Sequence, residues 1–276
     1  MAHDASFVER RRAFRRLHES GCFVLPNPWD AGSARYLQRL GFKALATTSA
    51  GCAWTNGEAD GAAGLEATLA NIRAIVGATD LPVNADFESG FAATPDGVAA
   101  NVTACVATGV AGLSIEDSTG HADHPLHPLP VAVERLRAAR AAIDATQTGV
   151  LLVGRAECYL VGHPDPLAES LRRLTAYAEA GADVLYAPGA VTRVEITSIV
   201  SAVAPRPVNV IVPRNIGLTV ADLAALGVRR ISVGGALART AWTAFARAAQ
   251  TIADDGAFTG FDGILTGADI NGYFQR

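Results

Sequence analysis

Hydrophobic residues along the chain fall into eight short apolar runs, separated by longer stretches of mixed polarity. A strand with one face in water alternates apolar and polar residues, whereas these runs are apolar at almost every position. Such runs indicate strands buried on both faces of a parallel sheet. The eight predicted strands are residues 22–27, 44–49, 82–88, 112–117, 150–157, 184–188, 208–212 and 230–234.

The stretches between the apolar runs have the spacing of amphipathic helices. Predicted helices cover residues 31–40, 64–78, 96–108, 131–145, 166–180, 219–226 and 237–253. Several of them end at a glycine, such as Gly41 or Gly109, which tolerates the left-handed backbone that stops a helix. Eight strand-helix units favour a closed barrel over a doubly wound sheet, which usually has fewer strands. We predict an α/β protein in which residues 1–276 form a single-domain (β/α)₈ barrel of the TIM type.

The last part of the chain, about residues 255–276, lies outside the eight units but is rich in large apolar side chains. These are Phe258, Phe261, Ile264, Leu265, Ile270, Tyr273 and Phe274. A free tail would not keep so many apolar residues in water. We predict an extra C-terminal helical segment that packs on the barrel or on another subunit.

Composition and charge narrow the class of partner. The chain is 50% hydrophobic and 18% charged, with a net charge of −4, which is typical of a folded domain with a large core. Its net charge is negative and the arginines near its start lie beside acids, so it has no electrostatic footprint for nucleic acid or for an anionic membrane. It also lacks a signal-peptide core and any apolar stretch of about 18 residues. These features predict a cytoplasmic protein that acts on small molecules, with its cysteines as reduced core thiols.

Lysine usage excludes one mechanism. Lys43 is the only lysine in the chain, and it directly precedes the second predicted strand. A Schiff-base enzyme needs a lysine amine inside the barrel mouth, at the other end of the strands. We therefore do not expect Schiff-base chemistry.

Charged residues cluster where the predicted strands end, which is where barrel enzymes build their active sites. They are Asp86 and Glu88 on the third strand, Glu116 and Asp117 on the fourth, and Arg155 and Glu157 on the fifth. Converging carboxylates repel one another unless a cation lies among them, and oxygen ligands select Mg²⁺ or Mn²⁺. Alternatively, the acids pair with arginines. Arg155 fits either a salt bridge or a bidentate carboxylate contact, and the spacing of Asp86 and Glu88 places both on one strand face.

Two turns are rich in small residues. Thr47-Thr48-Ser49-Ala50-Gly51 follows the second predicted strand, and Val233-Gly234-Gly235-Ala236 follows the eighth. The first can aim successive backbone N–H groups at an anion, and the second is a candidate phosphate site. Tight turns alone would also explain both sequences.

Six segments, in chain order, resemble the isocitrate lyase/phosphoenolpyruvate mutase superfamily. They are NPWDAGSARYLQRLGFKAL at 27–45, TSAGCAWTNGEAD at 48–60, DFESGF at 86–91, GVAGLSIED at 109–117, GRAE at 154–157 and GADVLY at 181–186. The resemblance implies a Mg²⁺-dependent enzyme that binds a small 2-oxo or 2-hydroxy carboxylate. The implied metal-binding acids are Asp60, Asp86, Glu88 and Glu116. The implied substrate-binding residues are Trp29, Thr48, Ser49, Ala50, Gly51, Asp86 and Arg155. A homo-oligomer is also implied, a tetramer or a dimer, with the C-terminal segment exchanged between subunits.

Three segments depart from the pattern of the isocitrate and methylisocitrate lyases. The loop after the fourth strand, where those lyases carry a catalytic cysteine, reads Asp117-Ser118-Thr119-Gly120-His121-Ala122-Asp123-His124. Tyr186-Ala187-Pro188-Gly189 replaces their glutamate after the sixth strand, and Val212-Pro213-Arg214-Asn215 replaces their strand-seven segment. The resemblance therefore implies a divergent member. Its candidate catalytic residues are Arg155, Glu116 and, as a general acid or base on that loop, His121.

Three functions stay open at this point. The leading expectation is a carbon-carbon lyase or decarboxylase that works through an enolate. Its ligands would be acids such as pyruvate, oxaloacetate, glyoxylate or 2-oxoglutarate. The second is a phosphonomutase or phosphonopyruvate hydrolase that acts on a P–C bond. The third is a 2-oxo acid binding protein with weakened catalysis, which the missing cysteine and glutamate would permit.

Overall fold

The computed structural model describes residues 2–275, with side chains from residue 6 onward. Its eight strands are β1 (Phe23–Leu25), β2 (Leu45–Ala46), β3 (Val83–Asp86), β4 (Gly112–Glu116), β5 (Leu151–Arg155), β6 (Val184–Tyr186), β7 (Val208–Ile211) and β8 (Arg230–Ser232). All neighbours are parallel, in the order β1-β8-β7-β6-β5-β4-β3-β2. Between β1 and β2, the Ala46 N–H donates to the Pro26 carbonyl at 3.1 Å. The sheet is thus a nearly closed barrel, which confirms the predicted fold.

Helices alternate with the strands. They are α1 (Ala2–Leu17), α2 (Ala31–Arg39), α3 (Ser49–Thr55), α4 (Leu65–Ala78), α5 (Pro95–Ala107), α6 (Leu129–Ala145), α7 (Pro166–Glu179), α8 (Arg193–Val203), α9 (Val220–Ala225), α10 (Ala236–Asp255) and α11 (Gly267–Phe274). The apolar spacing did not indicate α1, α3 or α8. A capping box starts α8. The Thr192 hydroxyl accepts a hydrogen bond from the Glu195 N–H, and the Glu195 carboxylate accepts one from the Thr192 N–H. None of the helices in the described part of the chain has the length and apolarity of a membrane span.

The end of the barrel where the strands begin is covered by α1. Phe14 is fully buried there. It packs in an apolar cluster with side chains that lie in, or directly before, the strands β1, β2, β4 and β5. A Cβ on Gly112 would lie 2.8 Å from the Phe14 ring and 2.7 Å from Asn84 Oδ1, so glycine leaves the space that both side chains use. The helix before the first strand therefore forms a floor for the barrel.

The third strand is shorter than predicted. β3 ends at Asp86, and Glu88 follows in a turn with a left-handed backbone at φ +45°. A left-handed residue interrupts the two-residue alternation of a strand. The prediction that Asp86 and Glu88 share one strand face was therefore wrong. Glu88 is instead held by its carbonyl, which accepts from the Glu116 N–H at 2.9 Å.

The segment after β8 is exposed to an unusual degree. Ala238 is the one buried residue of the 20-residue helix α10. The large apolar side chains exposed on this segment are Trp242, Phe245, Phe258, Phe261, Ile264, Leu265, Ile270 and Phe274. Farther along, α11 rests on α2, where the Tyr273 and Tyr36 ring centroids lie 4.7 Å apart. The predicted C-terminal helical segment is present, and it leaves most of its large apolar side chains exposed.

Candidate active site

A cavity of about 160 Å³ opens at the C-terminal ends of the strands, where barrel enzymes carry their active sites. Its wall is formed by Asn27, Ala46, Thr47, Thr48, Ser49, Ala50, Asp60, Asn84, Asp86, Ser114, Arg155, Tyr186, Asn209, Ile211, Arg230, Ser232, Gly234 and Gly235. A larger groove of about 820 Å³ lies among α1, α2, α4 and α11. No strand residue lines that groove, so we assign the chemistry to the smaller cavity.

Asp86 is held on both of its carboxylate oxygens. The Ser49 N–H and hydroxyl donate to Oδ2 at 3.0 and 2.9 Å, and Arg155 Nη1 donates to Oδ1 at 3.2 Å. The Asp86 N–H donates to Thr47 Oγ1 at 2.9 Å. The carboxylate is therefore oriented by groups at the ends of β2 and β5 before any ligand arrives.

Arg155 lies among three carboxylates. Besides Asp86, its Nη1 lies 3.3 Å from Glu116 Oε2, and its Nε donates to Glu157. Its guanidinium also lies over the Tyr186 ring, 5.3 Å from the centroid. Burial alone would lower the pKa of Arg155, but Glu157 and Glu116 outweigh it and hold that pKa well above its usual value. The acids thus pair with an arginine, which was the alternative to a bound cation. One guanidinium, however, cannot neutralise three carboxylates.

The neighbouring acids have raised pKa values, which indicates that this region contains more negative than positive charge. Burial, and then the negative charges of Asp86 and Asp60, raise the pKa of Glu88 to about 7, and its Oε1 is buried without a hydrogen-bond partner. Partial burial and the charge of Asp86 likewise raise the pKa of Asp60. Burial raises the pKa of Glu116 well above its usual value, although Arg155 opposes the shift. A cluster of this kind gains from an added cation.

The acids around Asp86 have the chemistry of a site for a hard cation. Within residues 2–275, no three acidic, histidine or cysteine side chains already stand in the arrangement of a metal centre. The acidic residues around Asp86, which are Asp60, Glu88 and Glu116, nevertheless offer carboxylate oxygens, the ligands that hard cations such as Mg²⁺ prefer. The unpartnered Oε1 of Glu88 is one of them. These residues fit a hard divalent ion with water completing its shell.

The turn after β2 is the start of helix α3. Thr48 caps the helix by accepting from the Gly51 N–H at 3.3 Å. A Cβ on Gly51 would lie 2.6 Å from Thr48 Cγ2 and 2.7 Å from Trp29 Cβ. Gly51 and Trp29 therefore pack behind the cavity wall. In the wall itself, the Ser49 N–H is already bonded to Asp86, and Ala50 faces the cavity.

The glycine turn after β8 is filled by a side chain of the protein itself. The N–H groups of Val233 and Gly234 both donate to Asn27 Oδ1 at 2.9 Å. A phosphate bound at this turn would need these two N–H groups as hydrogen-bond donors. Asn27 uses them instead to join the ends of β1 and β8.

His121 is not among the residues of the cavity wall. It is exposed on the loop after β4, and its ring stacks on His124 with centroids 5.0 Å apart. A bridge between Ser118 and Leu126 closes that loop at its base. A catalytic role for His121 therefore stays a prediction. Lys43 is exposed just before β2 and also lies outside the cavity wall.

Sequence reasoning missed a set of polar side chains inside the barrel. Asn84, Ser114, Asn209, Arg230 and Ser232 line the cavity from within the strands, and all are buried. The available signal was a polar residue inside an otherwise apolar strand. The sequence pattern pointed to residues at strand ends, and these five add a polar inner level to the site.

Comparison with known proteins places this geometry in a family. The sequence profile of the family described as phosphoenolpyruvate phosphomutase matches residues 14–253. An uncharacterized protein of Mycobacterium tuberculosis is 32% identical over 244 residues, 88% of this chain and 89% of the relative. A Burkholderia cenocepacia J2315 structure, provisionally described as a lyase/mutase, is 47% identical with a TM-score of 0.94, and the match covers 98% of this chain and 97% of that one.

Two further solved structures are similar at lower identity. One is a 2,3-dimethylmalate lyase of the PEP mutase/isocitrate lyase superfamily, 26% identical with a TM-score of 0.85 over 98% of this chain and 94% of that one. The other is an oxaloacetate acetylhydrolase in complex with its product oxalate, 26% identical with a TM-score of 0.84 over 96% and 94%. Taken with the family match, they show that the chain belongs to the phosphoenolpyruvate phosphomutase family, within the PEP mutase/isocitrate lyase superfamily.

Proposed function

We propose that this protein is a Mg²⁺-dependent lyase or decarboxylase that acts on a small 2-hydroxy- or 2-oxo-dicarboxylate. The observation that carries the proposal is that Asp86 and Arg155 lie side by side in the wall of a polar cavity, with Glu116 against Arg155 behind that wall. It combines a fixed carboxylate for a cation with a guanidinium for an anionic substrate. Two of the similar proteins are named for oxaloacetate and 2,3-dimethylmalate, which are acids of this class.

The metal side of the proposal rests on the acids. Asp86 would hold the ion, and Glu88, Glu116 and Asp60 would stand around it, largely through water. When bound, Mg²⁺ polarises a 2-oxo acid and stabilises negative charge on its oxygen, an effect of several kcal/mol. The pKa of Glu88, which is raised to about 7 by burial and by Asp86, supports a cation at this place.

The substrate side rests on the residues of the wall. Arg155 would present its guanidinium to a carboxylate of the substrate, and Tyr186 would keep that guanidinium in place by stacking. The hydroxyl of Ser49 keeps Asp86 oriented. Thr48 and Ala50 would complete the substrate contact at the start of α3. His121 would act as the proton donor if the loop after β4 moves over the cavity.

A P–C bond mutase or hydrolase is the second candidate, because the family profile that matches is that of phosphoenolpyruvate phosphomutase. The guanidinium of Arg155 suits a phosphonate as well as a carboxylate. A binding protein without turnover is the third, supported by the absence of a cysteine from the loop at 117–124 and of His121 from the cavity wall.

Turnover assays separate these functions. The purified chain is incubated with oxaloacetate, 2,3-dimethylmalate or phosphonopyruvate, with Mg²⁺ or with EDTA, and the products are followed by proton and phosphorus NMR. We expect Mg²⁺-dependent cleavage of at least one dicarboxylate. Phosphonopyruvate turnover alone would favour the second candidate, and Mg²⁺-dependent binding without turnover the third. No binding and no turnover with any of them would refute the proposal.

A further inference from the structure

Arg230 is a buried cation without an acidic partner. It begins β8, is 3% exposed, and forms part of the cavity wall. No carboxylate of the described residues lies within 4.0 Å of its guanidinium. A buried charge without a counterion is costly, so proteins normally pair such a group. In the same cavity, Arg155 has three carboxylate partners and shows the usual arrangement.

The contacts of Arg230 are all to neutral groups. Its Nε donates to Asn209 Oδ1 at 2.8 Å, and its Nη1 lies 3.3 Å from Asn84 Oδ1. Asn209 in turn donates to the Ser232 hydroxyl at 3.0 Å. These contacts orient the guanidinium and leave its positive charge uncompensated. Burial lowers the pKa of Arg230 to about 10, which still leaves it protonated at neutral pH.

The position of Arg230 defines a second level within the cavity. Its Nη1 meets Asn84, which precedes Asp86 by two residues on β3 and therefore faces the same side. The two levels are separated by two residues of strand, roughly 7 Å. Asp86 and Arg155 occupy the outer level, and Arg230 with Asn84 and Asn209 occupies the inner one. A dianionic acid of four or five carbons is long enough to touch both levels.

We propose that Arg230 is a specificity-determining residue that binds the second anionic group, a carboxylate or a phosphonate, of a substrate whose 2-oxo or 2-hydroxy carboxylate end lies at Asp86 and Arg155. The inference rests on the proposed function, because that function supplies the outer end. The polar side chains around Arg230 shape an anion subsite, and the missing counterion of Arg230 is the substrate itself. The protein would then select diacids over monoacids of the same length.

The test compares ligands that differ only in the second anion. 2-Hydroxybutyrate and malate share a four-carbon skeleton, and a methyl group of the first replaces a carboxylate of the second. Each is titrated by calorimetry into the full-length protein in Mg²⁺, and 3-phosphonopyruvate serves as the phosphonate arm. We expect the wild-type protein to bind malate at least about tenfold more tightly than 2-hydroxybutyrate. Tighter binding of phosphonopyruvate than of malate would assign the inner level to a phosphonate.

Two variants remove the inner charge in opposite ways. Arg230→Gln deletes the cation, whereas Asn209→Asp supplies an internal counterion where Arg230 Nε donates. Both should reduce the malate preference about tenfold or more and change 2-hydroxybutyrate affinity less than about threefold. Asn209→Asp is the variant less prone to misfold, because the new carboxylate pairs with the buried charge of Arg230. Ser198→Ala is the neutral control, because that hydroxyl lies on the outer surface of α8, away from the cavity, and donates to the Val194 carbonyl. It should retain the preference.

The outcomes keep the two proposals apart. If malate binds with Mg²⁺ and its preference survives in both Arg230→Gln and Asn209→Asp, the subsite is refuted while the proposed function stands. If the wild-type protein binds neither malate, 2-hydroxybutyrate nor phosphonopyruvate, the proposed function and the subsite both fail. A preference lost in both variants and kept in Ser198→Ala supports Arg230 as the second anion site.

Discussion

The barrel interior and the C-terminal segment use apolar and polar residues in opposite ways. In the barrel, the strands are buried, and polar side chains inside it are positioned by neighbours, as Asp86 is by Ser49 and Arg155. Along α10 and beyond, large apolar side chains are exposed, and Phe245 and Phe258 are 62% and 65% exposed. The barrel is complete within one chain, whereas this segment keeps an apolar surface that its own chain does not cover.

The difference shows which kind of binding partner each region lacks. Positive charge is lacking around Glu88, beside the cavity, and negative charge is lacking around Arg230 inside it, so a cation and an anion would complete this region. The C-terminal segment lacks an apolar partner, and a second copy of the chain would supply one. We propose that residues 255–276, with α10, form the oligomerisation segment, and that the assembly is a tetramer or a dimer.

The largest expected effect is on assembly. Truncation after residue 256 removes Phe258, Phe261 and the apolar residues that follow, and Trp242→Glu with Phe245→Glu places charges on the exposed face of α10. Both should convert the oligomer into a smaller particle, as measured by light scattering after size exclusion. Val194→Glu is the matched control, because that side chain is 72% exposed on α8, away from this segment. A truncated protein of unchanged assembly state would contradict the exchange of the segment between subunits.

The second effect concerns the outer level of the cavity. Asp86→Ala should abolish Mg²⁺-dependent ligand binding, a loss of at least about 100-fold, because the residue contributes to the site and not to the apolar core. Calorimetric titration measures the affinity, and circular dichroism checks the fold. Asp80→Ala removes an exposed carboxylate outside the cavity and should bind normally. Unchanged affinity in Asp86→Ala would count against the metal assignment.

A smaller effect is expected from Arg155→Lys. A lysine keeps the charge but loses the planar fork that contacts Asp86, Glu116 and Glu157, so carboxylate binding should weaken by about 1–3 kcal/mol. Binding of malate or oxaloacetate in Mg²⁺ provides the measurement. Arg172→Lys, on the outer surface of α7, should leave the affinity as it is. Equal affinities for all three proteins would remove Arg155 from the substrate site.

The smallest effect concerns the floor of the barrel. Burial, and then the positive charge of Arg230, lower the pKa of His18 to about 3. The fold thus favours neutral His18, whose contribution to stability is full above the unfolded pKa of about 6.5 and is lost as the pH falls toward 3. The free energy of unfolding should decrease by about 1 kcal/mol from pH 7 to pH 5.5 through this residue.

Denaturant titrations at several pH values test this component. His18→Gln should lack it, whereas His124→Gln, on an exposed loop, should retain it. Truncation after residue 256 should also leave it unchanged, since it belongs to the barrel and not to the C-terminal segment. An identical pH slope in His18→Gln and the wild-type protein would show that the floor does not exclude the charged imidazole.

The sequence predicted the barrel well because its strands are local apolar runs, each recognisable without its neighbours. It also predicted that Asp86, Glu116 and Arg155 meet, since parallel strand ends gather at one face. It did not predict the left-handed backbone of Glu88, which depends on a hydrogen bond to Glu116 from the next strand. Nor did it indicate Arg230 as a cavity residue, because its surroundings are contributed by strands far away in the chain. Contacts between distant segments were thus the unpredictable part.

The floor built by Phe14 separates the two ends of the barrel. Phe14 belongs to α1, which lies outside the repeated strand-helix units, and Gly112 leaves the space that Phe14 and Asn84 share. Asp86 and Arg155 end their strands on the other side of this layer. Substitutions around Phe14 would therefore act on the packing at the strand starts, while the charged groups at the strand ends keep their own contacts with Ser49 and Glu116.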